Sequence, residues 1–439
     1  METENKRNLI VSKSLLIVTG ILEYDQAFIK KLSSTAYISE KESVTEVQKK
    51  FYKDYFYPEF RNIMFLQNED FSAKIFTKSF DDSVSFSRNN RSGELIWHAI
   101  KIVKSEIFLF PDGSGLFSIH FNPGDNCKLS TLSDLVDLSR NFNSLIKEQE
   151  ASENWVNYVE RKILGGHLLR GEKITVDDYS GTKFKSYLVV DFQETISQEV
   201  RSELLYDLGC GVPIGSAGGV ENFSPSKGYY DTLMTNTISV FNTWESLPLF
   251  DSFTVAGNSL LDDNSEYGKL ATWNKTYFRI YLFNLYFKFS LFRYNSVVHR
   301  GTVKVRDDFE KFINSYNISH ISFNFLPNLI FQQHNKALET NEELEKFQER
   351  INRLSEAIQE EEQKRSNLLL SIVGVLTSLN SIDPVLEYTE KTKQWLNWHP
   401  AAFYSVFSIL VLGLGLPLLA FLFPEKWKSI KRWWRERNS

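Results

Sequence analysis

An uncharged apolar run near the C-terminus constrains this chain more than any other feature of its sequence. Residues 401–423 read AAFYSVFSILVLGLGLPLLAFLF, and about 20 such residues are enough to cross a bilayer as a helix. The tail that follows, 424–439, is rich in Lys, Arg and Trp, as the cytoplasmic flanks of membrane spans are. A buried helix of a globular domain is usually shorter and lacks such flanks. The sequence therefore predicts a transmembrane helix over 401–423 and a basic cytoplasmic tail.

The rest of the chain has the composition of a globular protein, with 42% hydrophobic and 24% charged residues overall. The net charge is −5, and the tail holds six cations against two acids, so the remainder carries −9. An acidic body argues against direct binding to nucleic acid. Cys127 and Cys210 are the only cysteines in the sequence, which suits a reducing cytoplasm. Walker, GxSxG and HExxH motifs are absent, so we expect no enzymatic activity.

A first membrane span is predicted just upstream, because a cytoplasmic body and a cytoplasmic tail require an even number of crossings. Residues 366–382 read SNLLLSIVGVLTSLNSI and carry no charge. Small and polar side chains recur there every three or four positions, on one stripe of a helix. The stripe consists of Asn367, Ser371, Gly374, Ser378 and Ser381. Such a stripe either lines a pore or packs closely against other helices, and the sequence leaves both readings open.

Charges on either side of these spans predict the topology. Lys364 and Arg365 precede the first span, and the loop 383–400 between the spans is slightly acidic. Cationic flanks stay in the cytoplasm, so we expect a multi-pass inner-membrane protein with both termini cytoplasmic, in contact with membrane lipid. Asp383 would lie at the outer pore entrance.

A long helix is predicted before the membrane, with a coiled-coil-like stalk over 326–365. Gly and Pro are absent between Asn328 and Val373, which allows one helix of about 50 residues. Apolar residues alternate by three and four, which is a heptad seam. Its members are Leu344, Phe347, Ile351, Leu354 and Ile358, continued in phase by Glu361, Arg365, Leu368, Ile372, Val375 and Leu379. The seam predicts self-association as a homo-oligomer or packing on a neighbouring helix. Glu360 and Glu361 form either an inner pore entrance or a solvated face.

Residues 1–325 are predicted to form a cytoplasmic α/β or α+β sensor domain. Strand patterns cover 14–22, 62–66, 73–87, 106–121 and 187–192, and a hairpin turn is expected at 111–113. An amphipathic helix is expected over 129–147. The apolar stretch 277–294 is interrupted by Arg279, Asn284, Lys288 and Arg293, which favours a buried helix over a third span.

One glycine-rich segment of this domain is a candidate ligand site. Residues 207–215 contain Asp207, Gly209, Gly211 and Gly215, and glycines let backbone amides approach a ligand closely. The segment resembles the D-x-G-x-G loop that cradles S-adenosylmethionine in methyltransferases, although the last glycine is displaced. A structural loop and a nucleotide-type ligand site are the two interpretations.

The order of these parts resembles the CorA family of divalent-cation channels: a cytoplasmic body, a long helix, a first span, a short loop, a second span and a basic tail. The family's Gly-Met-Asn motif is missing, and Asn380 stands where its Asn would be. CorA-like chains without that motif resemble membrane effectors of bacterial antiviral systems, including type III CRISPR loci. The resemblance implies a pentamer, Mg²⁺ as the transported ion and a nucleotide second messenger as the activating ligand. The hypothesis is a ligand-gated ion channel, and the alternative is a non-conducting, membrane-anchored oligomeric receptor or scaffold.

Overall fold

The computed structural model describes residues 2–42, 44–67, 70–89, 94–148, 151–169, 183–219, 223–297 and 303–380. The chain divides into two compact units, Met1–Glu349 and Arg350–Ser439. We call the first unit the body. It contains all the strands and most of the helices of the described chain.

A mixed sheet of twelve strands forms the centre of the body. The strands are β1 Ile10–Glu23, β2 Ile38–Ser39, β3 Lys74–Asn89, β4 Leu95–Leu109, β5 Ser114–Asn122, β6 Cys127–Lys128, β7 Leu145–Glu148, β8 Ala151–Asn154, β9 Lys185–Phe192, β10 Ile238–Phe241, β11 Trp244–Pro248 and β12 Ser252–Gly257. Their order is β10-β11-β12-β9-β1-β5-β4-β3-β7-β8, with β2 on β3 and β6 on β1. β9 pairs parallel with β12 and antiparallel with β1.

Central strands are apolar on both faces because helices cover both faces of the sheet. β9 is buried along its whole length, as in sheets with two covered faces. Its Leu188 and Val190 belong to the core on one face. The hydroxyl of Tyr187 donates to the Trp273 carbonyl on the opposite face, since successive side chains alternate. The predicted hairpin is confirmed: β4 and β5 flank a turn in which Gly113 has φ +82°.

The helices of the described chain vary from single turns to one long rod. They are α1 Glu2–Arg7, α2 Gln26–Ser34, α3 Glu46–Tyr55, α4 Pro58–Arg61, α5 Leu129–Arg140, α6 Trp155–Tyr158, α7 Gln198–Cys210, α8 Lys227–Met234, α9 Lys269–Ala271, α10 Phe278–Val297, α11 Val303–Tyr316, α12 Phe325–Ala337 and α13 Thr340–Asn380. α5 and α7 contribute to the core on one face of the sheet, whereas α10 lies on the other, where Tyr281 donates to the Ser186 carbonyl.

α10 confirms the prediction of a buried helix at 277–294, and its polar side chains explain how it can be buried. Arg279 is paired with Glu40, and the Asn284 amide donates to the Phe331 carbonyl at 3.1 Å. Lys288 forms an ion pair with Glu343. Buried polar groups are tolerated where they are bonded in this way.

Three local predictions are wrong. The apolar run 62–66, predicted as a strand, forms a helical turn of the π type whose side chains Ile63, Met64, Phe65 and Leu66 are buried. The amphipathic helix α5 ends at Arg140, seven residues early. The single helix of about 50 residues is two helices, α12 and α13, which are separated at Leu338 and Glu339. Glu339 has φ +52°, a left-handed conformation that ends α-helical geometry without glycine or proline.

The predicted fold class, with its two-span membrane domain, needs correction. Among the described residues, none of the helices combines the length and apolar character needed to cross a bilayer. This finding contradicts the predicted multi-pass inner-membrane localisation and the classification as a membrane-spanning ion channel. Of the uncharged segment predicted as the first span, the structure describes 366–380 within α13, and these residues rise about 22 Å, against a hydrocarbon core of about 30 Å. The predicted loop 383–400, second span 401–423 and tail 424–439 lie outside the described residues.

Candidate functional site

The glycine-rich segment 207–215 is the end of helix α7 and the turn that follows it. α7 ends at Cys210, and Gly211 caps it with φ +68°. Glycine is favoured at that left-handed position because it has no Cβ. The segment therefore differs from a cofactor-binding loop between a strand and a helix. The first two predicted ligand residues, Asp207 and Gly209, lie in the last turns of α7.

Asp207 uses its carboxylate to fold the turn back on the helix. It accepts hydrogen bonds from the Gly215 N–H at 2.7 Å and the Ala217 N–H at 2.8 Å. Burial raises the pKa of Asp207 to about 7, and these two backbone donors only partly oppose the rise. Asp207 and Gly215 are thus brought together, but as partners within the turn.

Gly209 and Gly211 lie against the buried guanidinium of Arg140. Arg140 donates to the Gly209 carbonyl at 3.2 Å, and the Ser252 hydroxyl donates to the same carbonyl at 2.7 Å. A Cβ at Gly211 would meet the Arg140 Nη1 at 3.0 Å. The geometry favours the structural interpretation of Asp207, Gly209, Gly211 and Gly215.

A cavity of about 550 Å³ lies beside this turn, and we call it the arginine cavity. Its polar lining consists of Arg7, Arg88, Asn89, His98, Ser130, Ser133 and Asp134. Ile96, Pro213 and Ile214 supply apolar wall. The volume falls in the range of small-molecule sites, about 300–1,000 Å³, and the mixture of apolar wall and a few polar groups is typical of them.

Local structure explains why these side chains meet. Val84, Phe86 and Arg88 alternate on one face of β3, and Arg88 pairs across the hairpin with Ile96. Ser130, Ser133 and Asp134 are spaced by three and four, so they share one side of α5. α5 begins without a side-chain N-cap bond, and its positive helix end adds to the attraction for anions at its first turn.

Charges in the cavity are paired but remain accessible. Arg88 donates to Asp134 at 2.6 Å and lies 3.7 Å from Asp137. The side chains of Arg88 and Asp134 keep 34% and 31% exposure. Burial raises the pKa of Asp134, although the Arg88 guanidinium opposes the rise. An anionic ligand can therefore compete with Asp134 for the guanidinium, and Asp134 can accept from a donor on the ligand.

A second charged cluster is enclosed on the other side of the sheet, and we call it the enclosed cluster: Glu40, Glu106, His120 and Arg279. Arg279 is paired with Glu40, and it donates to the Met64 carbonyl at 2.7 Å. His120 Nε2 lies 2.8 Å from a Glu106 oxygen. All four are at least nine-tenths buried.

Protonation states in the enclosed cluster follow from its pairing. Burial opposes ionisation of Glu106, but Lys104 and His120 overcome it and hold the pKa of that carboxyl well below its usual range. Burial lowers the pKa of His120 to about 4. This cluster joins the sheet to α10, so we interpret it as structural.

The predicted pore residues lie on α13 or beyond it. Glu361 accepts from Arg365 at 2.7 Å, and Glu360 lies 3.8 Å from Lys364. The Ser371 hydroxyl donates to the Asn367 carbonyl. Gly374, Ser378 and Asn380 are within the helix, while Ser381 and Asp383 lie outside the described residues. Within the described ranges, no group of three or more His, Cys, Asp or Glu is placed to bind a metal.

The cavity residues were not predicted from the sequence. One signal was present: Arg88 follows Val84 and Phe86 at alternate positions, so an arginine extends a strand face whose two preceding residues are apolar and buried. The convergence of Arg7, Arg88, Ser133 and Ile214 depends on tertiary structure, since they come from separate elements. No family model, curated protein or solved structure matches the chain.

Proposed function

We propose that this protein is a non-enzymatic receptor that binds a phosphate-bearing, nucleotide-type ligand in the arginine cavity and works as a homo-oligomer. The observation that carries the proposal is the convergence of Arg7, Arg88 and the first turns of α5 on one cavity. Arginine matches phosphate geometry with two parallel donors, and a helix N-terminus favours anions.

The rest of the cavity suits the other part of such a ligand. Ile96, Pro213 and Ile214 offer an apolar wall for a planar base. The Asp134 carboxylate can accept from an exocyclic amine or a ribose hydroxyl. Asp134 also neutralises Arg88 while the cavity holds no ligand, which keeps the site from binding every passing anion.

Receptor function is favoured over catalysis by how the acidic groups are used. Asp207 is committed to two backbone N–H groups, and Asp134 to Arg88. Self-association rests on the heptad seam of α13, which carries exposed apolar side chains such as Leu368. Ion conduction and magnesium transport stay predictions of the family resemblance, and the membrane-spanning premise behind them is contradicted, so the proposal does not include them.

Isothermal titration of the full chain with adenosine monophosphate, guanosine monophosphate and inorganic phosphate tests the proposal. We expect binding of at least one nucleotide that is tighter than that of phosphate alone, because the base and the phosphate contact different walls. Arg88→Gln should weaken this binding by about 10- to 100-fold, since a charge-assisted hydrogen bond contributes about 1.5–3 kcal/mol.

Arg161→Gln is the matched control. Arg161 is 51% exposed and is also paired with two carboxylates, those of Glu148 and Glu153, but it does not line the cavity. Its substitution should leave affinity unchanged. Lack of binding by all three probes up to about 1 mM, or equal losses in the two variants, would contradict the proposal.

A further inference from the structure

Helix α13 carries one seam whose two middle members are charged. From Leu354 onward the members are Leu354, Ile358, Glu361, Arg365, Leu368 and Ile372. Steps of four and three keep them on one face. Leu368 is 54% exposed and Ile372 45% exposed. These apolar side chains are therefore accessible to a partner.

The N-terminal part of the seam is already used inside the body. Phe347 is only 1% exposed, and its ring centroid lies 4.4 Å from that of Phe309. Leu344 is also buried. The accessible part of the seam therefore begins near Leu354, where side chains become half-exposed.

Glu361 and Arg365 decide how a second copy can pair along this seam. In a parallel, in-register pair each seam residue meets its own copy, so Glu361 faces Glu361 and Arg365 faces Arg365. Two layers of like charge inside a coiled-coil seam are unfavourable. In an antiparallel pair centred on Gln363, Glu361 of each copy faces Arg365 of the other.

The same antiparallel register also matches the apolar members. Ile358 meets Leu368, and Leu354 meets Ile372, each pair occurring twice because a two-fold contact repeats itself. Every layer from 354 to 372 is then either apolar on both sides or of opposite charge. We infer that α13 pairs with α13 of a second copy in this antiparallel, two-fold register.

Contacts within one helix are compatible with this pairing. Glu361 and Arg365 are bonded to each other in the single chain, so pairing exchanges two exposed intrahelical bonds for two intermolecular ones at the seam. Glu362 and Lys364 flank the seam on opposite sides. In the antiparallel pair Glu362 therefore lies beside Glu362 of the other copy, and Lys364 beside Lys364. They are exposed, and exposed charges remain hydrated, so this repulsion is small.

The inference deepens the self-association in the proposed function and rests on it. It names the partner as a second copy and the assembly as an antiparallel dimer, which differs from the pentamer of parallel first spans that the CorA resemblance implies. Ligand binding in the body is measured separately, so failure of the dimer is distinguishable from failure of the receptor.

Charge exchange at the seam tests the register. The full chain is purified in a mild detergent, which keeps the apolar run 401–423 from causing aggregation, and its mass is followed by sedimentation velocity over a range of concentrations. Glu361→Arg should raise the dimer dissociation constant at least about tenfold, because it creates two Arg–Arg layers. The double variant Glu361→Arg/Arg365→Glu should restore dimerisation, because both antiparallel layers again pair opposite charges.

Disulfide trapping supplies an independent readout of direction. Ile358→Cys and Leu368→Cys are prepared separately in a Cys127→Ser/Cys210→Ser background and then mixed. The antiparallel register predicts crosslinks in the mixture and few in either variant alone. A monomeric wild-type chain, failure of the double charge exchange to restore dimers, or efficient crosslinking of Ile358→Cys with itself would each overturn the inference. Far-UV circular dichroism and urea denaturation of each variant report whether the body remains folded, independently of nucleotide binding.

Discussion

The body contains two sets of paired charges that have the same chemistry and different surroundings. In the enclosed cluster, Arg279 and Glu40 are at least nine-tenths buried, whereas in the arginine cavity Arg88 and Asp134 each keep about a third of their side chains exposed. Removing one member of a buried pair leaves an uncompensated charge, but an exposed pair contributes little. The difference indicates that the first set serves the fold and the second is available for a ligand.

The largest effect is expected from breaking the enclosed cluster. Arg279→Met should lower the free energy of unfolding by about 3 kcal/mol, because it removes the buried partner of Glu40, leaves that carboxylate with Lys275 at 2.8 Å, and leaves the Met64 carbonyl without its donor. Urea denaturation at neutral pH measures this loss. Arg161→Met, at an arginine that is 51% exposed, is the control. A loss below about 1 kcal/mol at Arg279 would show that water reaches the cluster and that the comparison is wrong.

Asp207 sharpens the comparison, because its carboxylate is buried and has no cation bonded to it among the described contacts. Its pKa is raised from 3.8 to about 7 in the folded chain. A raised pKa stabilises the fold at low pH, and this contribution is lost as pH rises toward and through 7. Between pH 5 and pH 8 we expect a loss on the order of 2–3 kcal/mol from this group.

Denaturation curves of Asp207→Asn at several pH values test this assignment. The variant should lose most of that pH dependence, while Asp231→Asn, at an exposed position, should keep the wild-type slope. An unchanged slope in Asp207→Asn would mean that the carboxylate is ionised throughout the range and well hydrated.

His334, which stacks on Tyr281 of α10, should show the opposite pH dependence of stability. It is fully buried against Tyr281, and burial lowers its pKa from 6.5 to about 3. A lowered pKa gives stability that is present above pH 6.5 and is lost as pH falls toward 3. From pH 7 to pH 5 the expected loss is about 2 kcal/mol.

Acid denaturation of His334→Gln measures this contribution, with His320→Gln at an exposed histidine as control. The slope between pH 7 and pH 5 should flatten in His334→Gln and remain in His320→Gln. Parallel curves for all three proteins would show that another group causes the acid sensitivity.

Sequence patterns predicted those parts of the fold that depend on neighbours along the chain. The hairpin around Gly113 was predicted from apolar runs and turn chemistry, and a strand was predicted at 187–192, within β9. The run 62–66 was assigned as a strand because a short apolar run looks the same in a buried helical turn. The break at Glu339 has no glycine or proline to indicate it, since a glutamate adopts the left-handed conformation there.

The candidate site was harder to predict for the same physical reason. Asp207 and its glycines attracted attention as a motif, yet Gly211 is a helix cap and Asp207 closes the turn. The cavity residues are distant in sequence, and only the sheet register and the docking of α5 bring Arg88 to Asp134. The prediction of a membrane span at 366–382 is contradicted in the described residues. A polar stripe beside an apolar face fits a membrane helix, but it fits an amphipathic helix such as α13 equally well.

The smallest effect on stability is expected where the effect on binding is largest. Arg88→Met should change the free energy of unfolding by less than about 1 kcal/mol, because Asp134 remains partly hydrated and can take up a proton more readily once the guanidinium is gone. Urea denaturation beside Arg279→Met compares the same substitution at the two clusters. A loss of about 3 kcal/mol or more at Arg88 would mean that the cavity charges support the fold, and a loss of nucleotide affinity in that variant would then reflect a disturbed structure.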